Sequence, residues 1–149
     1  MKKNIFEETY AKVQALKKAY DEAGKSNDED SKNEVRKKHE ELMMELSNQG
    51  SVTINIWNMY EEAKDCGNKY IDLNEVIWEE QVETTIKTLR ENGIEHFTFS
   101  STWSNAVETA WLFTQNGCRL EGLIEINTKY KDFRTGKNKK AHGYLFKVN

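Results

Sequence analysis

Apolar side chains recur at helical spacing over the first fifty residues of the chain. Between residues 4 and 23 they recur every three or four positions, which predicts an amphipathic helix: Phe6, Tyr10, Val13, Leu16 and Tyr20. Residues 24–31 are polar and predict a loop. A second stripe over residues 33–48 predicts another helix: Val35, His39, Leu42, Met43 and Leu46. The pattern therefore predicts an antiparallel helical hairpin.

Gly50 separates this hairpin, residues 1–49, from a second predicted unit, residues 50–149. Because both apolar stripes are narrow, we expect the hairpin to pack on the second unit or to form a homodimer with another copy. Residues 51–57 have two interpretations, since their apolar residues alternate as in a strand but also continue a helical face to Ala63. We favour a helix that has Ser51 as its N-cap and ends at Cys66 and Gly67, because no turn signal interrupts the pattern.

Strands and helices alternate over the rest of the chain. The pattern predicts strands at residues 70–74, 96–100, 120–128 and 143–148, and helices at residues 79–92 and after Asn105, with Trp111 on a buried face. Gly93 and Gly117 follow Asn at two helix ends, where a left-handed glycine closes a Schellman cap. The predicted fold is α/β, with a small mixed sheet of about four strands, flanking helices and the N-terminal α-helical hairpin.

The turn at residues 100–105 is the first candidate binding site. It consists of Ser100, Ser101, Thr102, Trp103, Ser104 and Asn105. A strand that leads into a helix N-terminus presents unpaired backbone amides, so the turn suits a small anionic ligand or a partner protein. The alternative is that Ser101, Thr102 or Ser104 only caps the helix, and Glu108 in the first helical turn would repel an anion. Trp103 lies among polar residues, which favours a position at a site or an interface.

A basic segment at residues 129–140 is the second candidate surface. Its lysines and Arg134 surround two aromatic residues, Tyr130 and Phe133. Tyr130, Lys131 and Arg134 are the predicted contacts, because basic and aromatic side chains together bind acidic partners. The alternative is a solvated hairpin loop without a binding role.

Composition and missing motifs exclude several classes of protein. The chain has 149 residues and a net charge of −3, so binding to nucleic acid is not expected. Apolar runs long enough for a membrane span and a secretion signal are absent, which predicts a cytoplasmic protein in which Cys66 and Cys118 are reduced. The histidines lack metal-ligand spacing, and neither glycine-rich phosphate-binding motif occurs. We therefore assign no cofactor, metal ligand or catalytic residue.

Two resemblances to known proteins extend this interpretation. The stretch from Asn105 to Gly122 resembles the last helix and strand of GCN5-related N-acetyltransferases, N-x-x-A-x-x-L-Y-x-x-x-G-F-x-x-E-G, at Asn105, Ala110, Phe113, Gly117 and Gly122. The acetyl-CoA pyrophosphate loop of that family, Q/R-x-x-G-x-G/A, is absent. From about Trp57 onward, the segments GNKYIDL, EEQVETTIKTLRENGIEHFTFSS and GCRLEG resemble uncharacterised small proteins of Gram-positive bacterial mobile elements. This resemblance implies an accessory role in host interaction.

Two functions are therefore expected from the sequence. The first is a non-enzymatic accessory or interaction protein, encoded by a mobile element, that binds a partner through residues 100–105 and the basic segment. The second is a small-molecule binder, or a degenerate acetyltransferase-like domain, with its site at residues 100–105.

Overall fold

The computed structural model describes residues 3–149, which form an α/β fold. The helices are α1 (Ile5–Lys25), α2 (Glu29–Asn48), α3 (Ser51–Asp65), α4 (Glu79–Glu91) and α5 (Ala106–Gln115). The strands are β1 (Ile71–Leu73), β2 (His96–Phe99), β3 (Arg119–Lys131) and β4 (Asn138–Lys147). They form one four-stranded sheet in the order β1-β2-β4-β3. The predicted fold class, a mixed sheet with an N-terminal helical hairpin, is confirmed.

The strand directions determine where the polar residues meet. The helix α4 connects β1 to β2, and these two strands pair in parallel with Leu73 opposite Phe99. The strand β4 pairs antiparallel with both β2 and β3. Asn74 and Ser100 therefore follow the carboxyl ends of two neighbouring parallel strands. In α/β sheets this edge is where ligands bind.

An aromatic cluster holds α5 against the sheet. The ring of Phe113 packs edge-on against Phe97 and Phe99 at 5.1 Å and against Phe146 at 5.4 Å. All four rings are buried. Because α5 begins directly after residues 100–105, this packing fixes the position of the predicted turn.

The helical hairpin contributes side chains to the same hydrophobic core. Phe6, Val13 and Leu46 are buried in one cluster with Trp57 and Tyr60. The ring of Phe6 lies 5.8 Å from that of Tyr60. The division of the chain at Gly50 stays a prediction. Removal of the hairpin would break these contacts with the core.

Both predicted glycine caps have Schellman geometry. Gly93 has a φ of 69° and Gly117 a φ of 90°. The amide of Ile94 donates to the Leu89 carbonyl over 3.0 Å, and the amide of Cys118 donates to the Phe113 carbonyl over 3.0 Å. These bonds satisfy carbonyls that the helix ends would otherwise leave unpaired.

Two predicted loops are shorter in the structure. Residues 24–31 were expected to form a loop, but α1 continues to Lys25 and α2 begins at Glu29, because the Asp28 side chain caps it by accepting from the Ser31 amide. Much of the basic segment is strand, since β3 continues to Lys131 and β4 begins at Asn138. Only residues 132–137 form the turn of this hairpin, in which the Asp132 carboxylate accepts from the Arg134 amide at 2.7 Å.

The structure confirms the helix at residues 51–65 and corrects two details of the prediction. Gly50 occupies the N-cap position of α3, and Ser51 is its first helical residue. Trp111 was expected on the buried face of α5 but is 56% exposed, because Thr109 and Phe113 face the core instead.

Within residues 3–149 the helices lack the combination of length and apolar character that a transmembrane span needs.

Candidate functional site

A cleft of about 390 Å³ lies at the carboxyl ends of β1 and β2. We call it the strand-end cleft. The end of α3, the strands β1, β3 and β4, and the segments that follow β1 and β2 form its walls; its polar and aromatic lining includes Glu62, Asp72, Asn74, Glu75, Ser100, Thr102, Trp103, Lys129 and Tyr130. Residues far apart in the sequence therefore share one cavity.

Asp72 is the buried carboxylate of this cleft. Only 5% of the residue is exposed. The Thr98 hydroxyl donates to Oδ1 over 2.7 Å, and the Ser100 hydroxyl donates to Oδ2 over 2.6 Å. Burial raises the pKa of Asp72, and the two hydroxyl donors partly oppose that rise. Each oxygen of the side chain therefore has a hydrogen-bond partner, and within residues 3–149 the carboxylate forms no salt bridge.

Glu62 connects α3 with β3 across the cleft. The Asn74 side-chain amide donates to Oε2 of Glu62, and the Lys129 ammonium lies 3.4 Å from Oε1. The negative charge of Glu62 raises the pKa of Lys129. Among the described residues that line the cleft, Glu62, Asp72 and Glu75 carry carboxylates, whereas Lys129 carries an ammonium. The cleft therefore favours a cationic or hydrogen-bond-donating group over an anion.

Two exposed aromatic side chains stand at the cleft on different elements. Trp103 is 57% exposed and belongs to the turn after β2, whereas Tyr130 is 64% exposed and belongs to β3. The Trp103 amide donates to the Ser101 hydroxyl at 3.3 Å, which helps to hold the turn. The Lys129 ammonium lies 5.6 Å from the centre of the Tyr130 ring, within the range of a cation–π contact. Exposed aromatics beside a cavity are typical of recognition surfaces.

The structure brings together part of the predicted site. Ser100, Thr102, Trp103 and Tyr130 line the strand-end cleft. The other five predicted residues, which do not line it, are Ser101, Ser104, Asn105, Lys131 and Arg134.

Each of the predicted residues away from the cleft has an identifiable place. Asn105 is the N-cap residue of α5, but its side chain donates to the Ile77 carbonyl at 3.3 Å instead of capping the helix. Ser104 and Lys131 are exposed. The Arg134 guanidinium lies 5.8 Å from the centre of the Phe133 ring in the hairpin turn. The alternative that Ser101, Thr102 or Ser104 only caps α5 is wrong, because the N-terminus of α5 has no side-chain cap.

The acidic half of the cleft is not apparent from the sequence. Glu62 has no predicted role, but in the structure it pairs with Asn74 and Lys129. Asp72 was included only in a predicted strand, although a charged residue between Ile71 and Leu73 was a usable signal. Charged side chains are seldom fully buried unless they have partners, so such a residue marks a structural or functional network.

A comparison with known families applies to the part of the chain that contains this cleft. A family model described as a domain of unknown function, DUF7698, matches residues 55–148. The chain belongs to this family. No curated protein and no solved structure matches the chain.

The DUF7698 region includes the whole sheet and all residues that line the strand-end cleft. It begins within α3, so α1 and α2 precede it. The family match therefore covers the candidate site but does not assign it a ligand.

Proposed function

We propose that this protein acts by binding and recognises a segment of a partner protein at the strand-end cleft. The observation that carries the proposal is the position of Trp103 and Tyr130, which are largely exposed on separate elements yet line the same cavity. Large aromatic side chains give binding energy when a partner covers them, because they bury much apolar area at low entropic cost. Leaving both exposed has no benefit for folding.

The charges of the cleft support a partner with a positive or hydrogen-bond-donating group. Within the described residues Asp72 is buried without a salt bridge, and such a carboxylate usually lowers the stability of a fold. A donor from the partner would add to the two hydroxyl hydrogen bonds that Asp72 already accepts. An anionic ligand, which the sequence first suggested, fits the carboxylates poorly.

The basic hairpin extends the proposed surface beyond the cleft. Lys131 and Arg134 are exposed on the strand and turn that follow Tyr130. They are suited to acidic groups on the outer part of the same partner, where their effect would depend on salt. An accessory role in a mobile element stays a prediction from the resemblance of the sequence.

Selection from a phage-displayed random peptide library tests partner binding directly. We expect enriched peptides that bind the native protein and contain lysine, arginine or a free amine together with aromatic residues. Trp103→Ala and Tyr130→Ala should each weaken their binding at least about tenfold, as expected for aromatic residues at an interface.

Two other tryptophans provide matched controls for this experiment. Trp78 is 57% exposed and Trp111 is 56% exposed, close to the value for Trp103, but neither lines the cleft. Trp78→Ala and Trp111→Ala should leave peptide binding unchanged. Equal losses in all variants, or a selection that enriches no cleft-dependent peptide, would contradict the proposal.

The second candidate function is small-molecule binding in the same cleft. Its volume of about 390 Å³ lies within the usual range for ligand pockets, and Asp72, Glu62 and Asn74 supply converging polar groups. A thermal-shift series with nucleotides, sugar phosphates, acetyl-CoA and small alkyl amines tests it, because ligands that prefer the native state raise its unfolding temperature. We expect a shift with the amines and none with acetyl-CoA, since the pyrophosphate loop is missing. Micromolar acetyl-CoA binding in calorimetry would instead favour the acetyltransferase-like alternative.

A further inference from the structure

A second cavity of about 480 Å³ lies between α1 and α2, away from the strand-end cleft. We call it the hairpin groove. Its apolar lining consists of Val13, Leu16, Tyr20 and Val35, and its charged lining of Lys17, Asp21, Arg36 and Glu40, together with His39. Val13 is buried in the main core, whereas Leu16, Tyr20 and Val35 are only half-buried.

The outer half of the hairpin extends beyond the rest of the fold. The core cluster receives Phe6 and Val13 from α1 and Leu42, Met43 and Leu46 from α2, but it does not include Leu16, Tyr20 or Val35. From Val13 to the end of α1 the helix continues for about 18 Å at the ordinary helical rise. Within residues 3–149, α1 and α2 therefore present an apolar groove that other elements leave uncovered.

The register of the two helices can be read from one hydrogen bond. The Arg36 guanidinium donates to the Tyr20 hydroxyl over 2.9 Å. Because the helices are antiparallel, Asp21 on α1 lies near the level of Arg36 on α2. Four residues away on each helix, Lys17 on α1 lies near the level of Glu40 on α2.

These four charged side chains form an alternating pattern around the groove. Of these four residues, α1 carries one positive and one negative side chain, and so does α2. Each of the two levels along the hairpin also has one residue of each sign. Lys17, Asp21, Arg36 and Glu40 are exposed, and within residues 3–149 none of them forms a salt bridge. Ion pairs among the described residues therefore do not neutralise these charges, although the Arg36 guanidinium also donates to the side chains of Tyr20 and Asn33.

We infer that the hairpin groove binds the hairpin of a second copy, which gives a two-fold symmetric dimer with four helices at its interface. A two-fold axis parallel to the helices places Lys17 opposite Glu40 of the other copy and Asp21 opposite Arg36. A two-fold axis that lies in the interface and is perpendicular to the helices places Lys17 opposite Asp21 of the other copy. The same axis places Arg36 opposite Glu40 of the other copy. Every facing pair is of opposite sign in both arrangements, as a self-complementary interface requires.

The apolar residues fit the same occupant. Facing copies would cover Leu16, Tyr20 and Val35 with their own equivalents, as in a four-helix bundle. The strand-end cleft and the hairpin groove share no lining residue. The inference therefore does not depend on the proposed binding function.

Sedimentation velocity over a range of concentrations tests the dimer with the full chain. The native protein should shift from monomer to dimer, and Lys17→Glu should raise the dissociation constant at least about tenfold, since the change occurs twice in a symmetric interface. Lys18→Glu is the matched control, because Lys18 is also exposed on α1 but does not line the groove. It makes the same change in net charge and should leave dimerisation unchanged. Circular dichroism checks that both variants keep their helices.

A fourfold inversion gives the decisive comparison. The variant with Lys17→Glu, Asp21→Lys, Arg36→Glu and Glu40→Lys has the opposite alternating pattern, so it should dimerise with itself but not with the native chain. Energy transfer between labelled chains distinguishes the two cases. A native protein that remains monomeric up to about millimolar concentration, equal effects of Lys17→Glu and Lys18→Glu, or free mixing of native and inverted chains would each overturn the inference. A dimer that survives all hairpin changes would place the interface elsewhere.

Discussion

The Ser100 hydroxyl donates a 2.6 Å hydrogen bond to the Asp72 carboxylate. The bond joins the turn that the sequence identifies as a candidate site to a strand residue that the sequence left without a role. β1 and β2 run parallel, so residues separated by 28 positions meet at one sheet edge. The strand-end cleft is thus a product of strand pairing and not of one local motif.

Removal of the Asp72 charge should stabilise the protein at neutral pH. Burial raises the pKa of Asp72 above that of the unfolded chain, so its favourable contribution is complete below the unfolded pKa and is lost as pH rises through the folded pKa. Asp72→Asn keeps an oxygen acceptor for the Thr98 hydroxyl, and its amide group is able to donate to the Ser100 oxygen. The unfolding temperature at pH 7 should therefore rise, and the gain should shrink as pH falls through the raised folded pKa and be gone below the unfolded pKa of about 4.

Thermal unfolding from pH 3 to pH 8 measures this effect. Glu75→Gln provides a control, since Glu75 is an exposed carboxylate of the same cleft. A lower unfolding temperature for Asp72→Asn at pH 7 would show that the hydrogen bonds of the charged form outweigh its burial.

Two tryptophans should differ sharply in their effect on stability. Trp103 is exposed at the cleft, whereas Trp57 is 1% exposed within the core. Trp103→Ala should change the free energy of unfolding by less than about 1 kcal/mol. Trp57→Ala should lower it by roughly 3–5 kcal/mol, because it leaves a large cavity. Denaturant titration measures both values, and a large loss for Trp103→Ala would make the turn a structural element.

The cap glycines should resist substitution because of their backbone conformation. Gly117 has a φ of 90°, which side chains rarely adopt, so Gly117→Ala should lower the free energy of unfolding by about 1–2 kcal/mol. Gly24 lies inside α1, where Gly24→Ala should instead raise it by roughly 0.5–1 kcal/mol. Denaturant titration measures both changes in the free energy of unfolding. Because the substitution is the same at both positions, opposite signs isolate the effect of the left-handed cap. Destabilisation of equal size at both positions would contradict it.

The two thiols should react at different rates. Burial raises the pKa of Cys118 to about 11, and the side chain is buried, whereas Cys66 is half-buried with a smaller rise in its pKa. Because the thiolate is the reactive form, an aromatic disulfide reagent at pH 7.5 should modify Cys66 first. Cys118 should react only as the protein unfolds. Cys66→Ser and Cys118→Ser assign the two phases, and a fast phase that survives Cys66→Ser would contradict this order.

Removal of residues 1–49 tests the division at Gly50. The remaining chain should still unfold in a single transition, because it keeps the sheet and the Phe113 cluster. Its unfolding temperature should be lower, since the contact of Phe6 with Tyr60 and the hydrogen bond from the Ile5 amide to the Asn92 side chain are lost. Calorimetry measures the number of transitions and the unfolding temperature. Gradual unfolding without a heat-absorption peak would show that the hairpin and the rest of the chain form one folding unit.

Local pattern was sufficient for the elements of this protein. Helical spacing, alternating strands and Asn-Gly pairs predicted five helices, four strands and both Schellman caps, because these depend on residues within a few positions of one another. The turn at residues 100–105 was also predicted as a candidate for the same reason. Trp111 was misplaced because its helical stripe does not reveal which face meets the sheet.

Tertiary structure alone decided which residues share the strand-end cleft. Glu62, Asp72, Ser100 and Tyr130 come from four segments, and only the pairing of β1 with β2 and the long β3–β4 hairpin place them together. Ser104 and Lys131 have the same local chemistry as their neighbours, yet the directions of turn and strand leave them outside. A sequence determines the period of its own helices and strands, but the contacts between distant segments depend on the summed burial of the whole core.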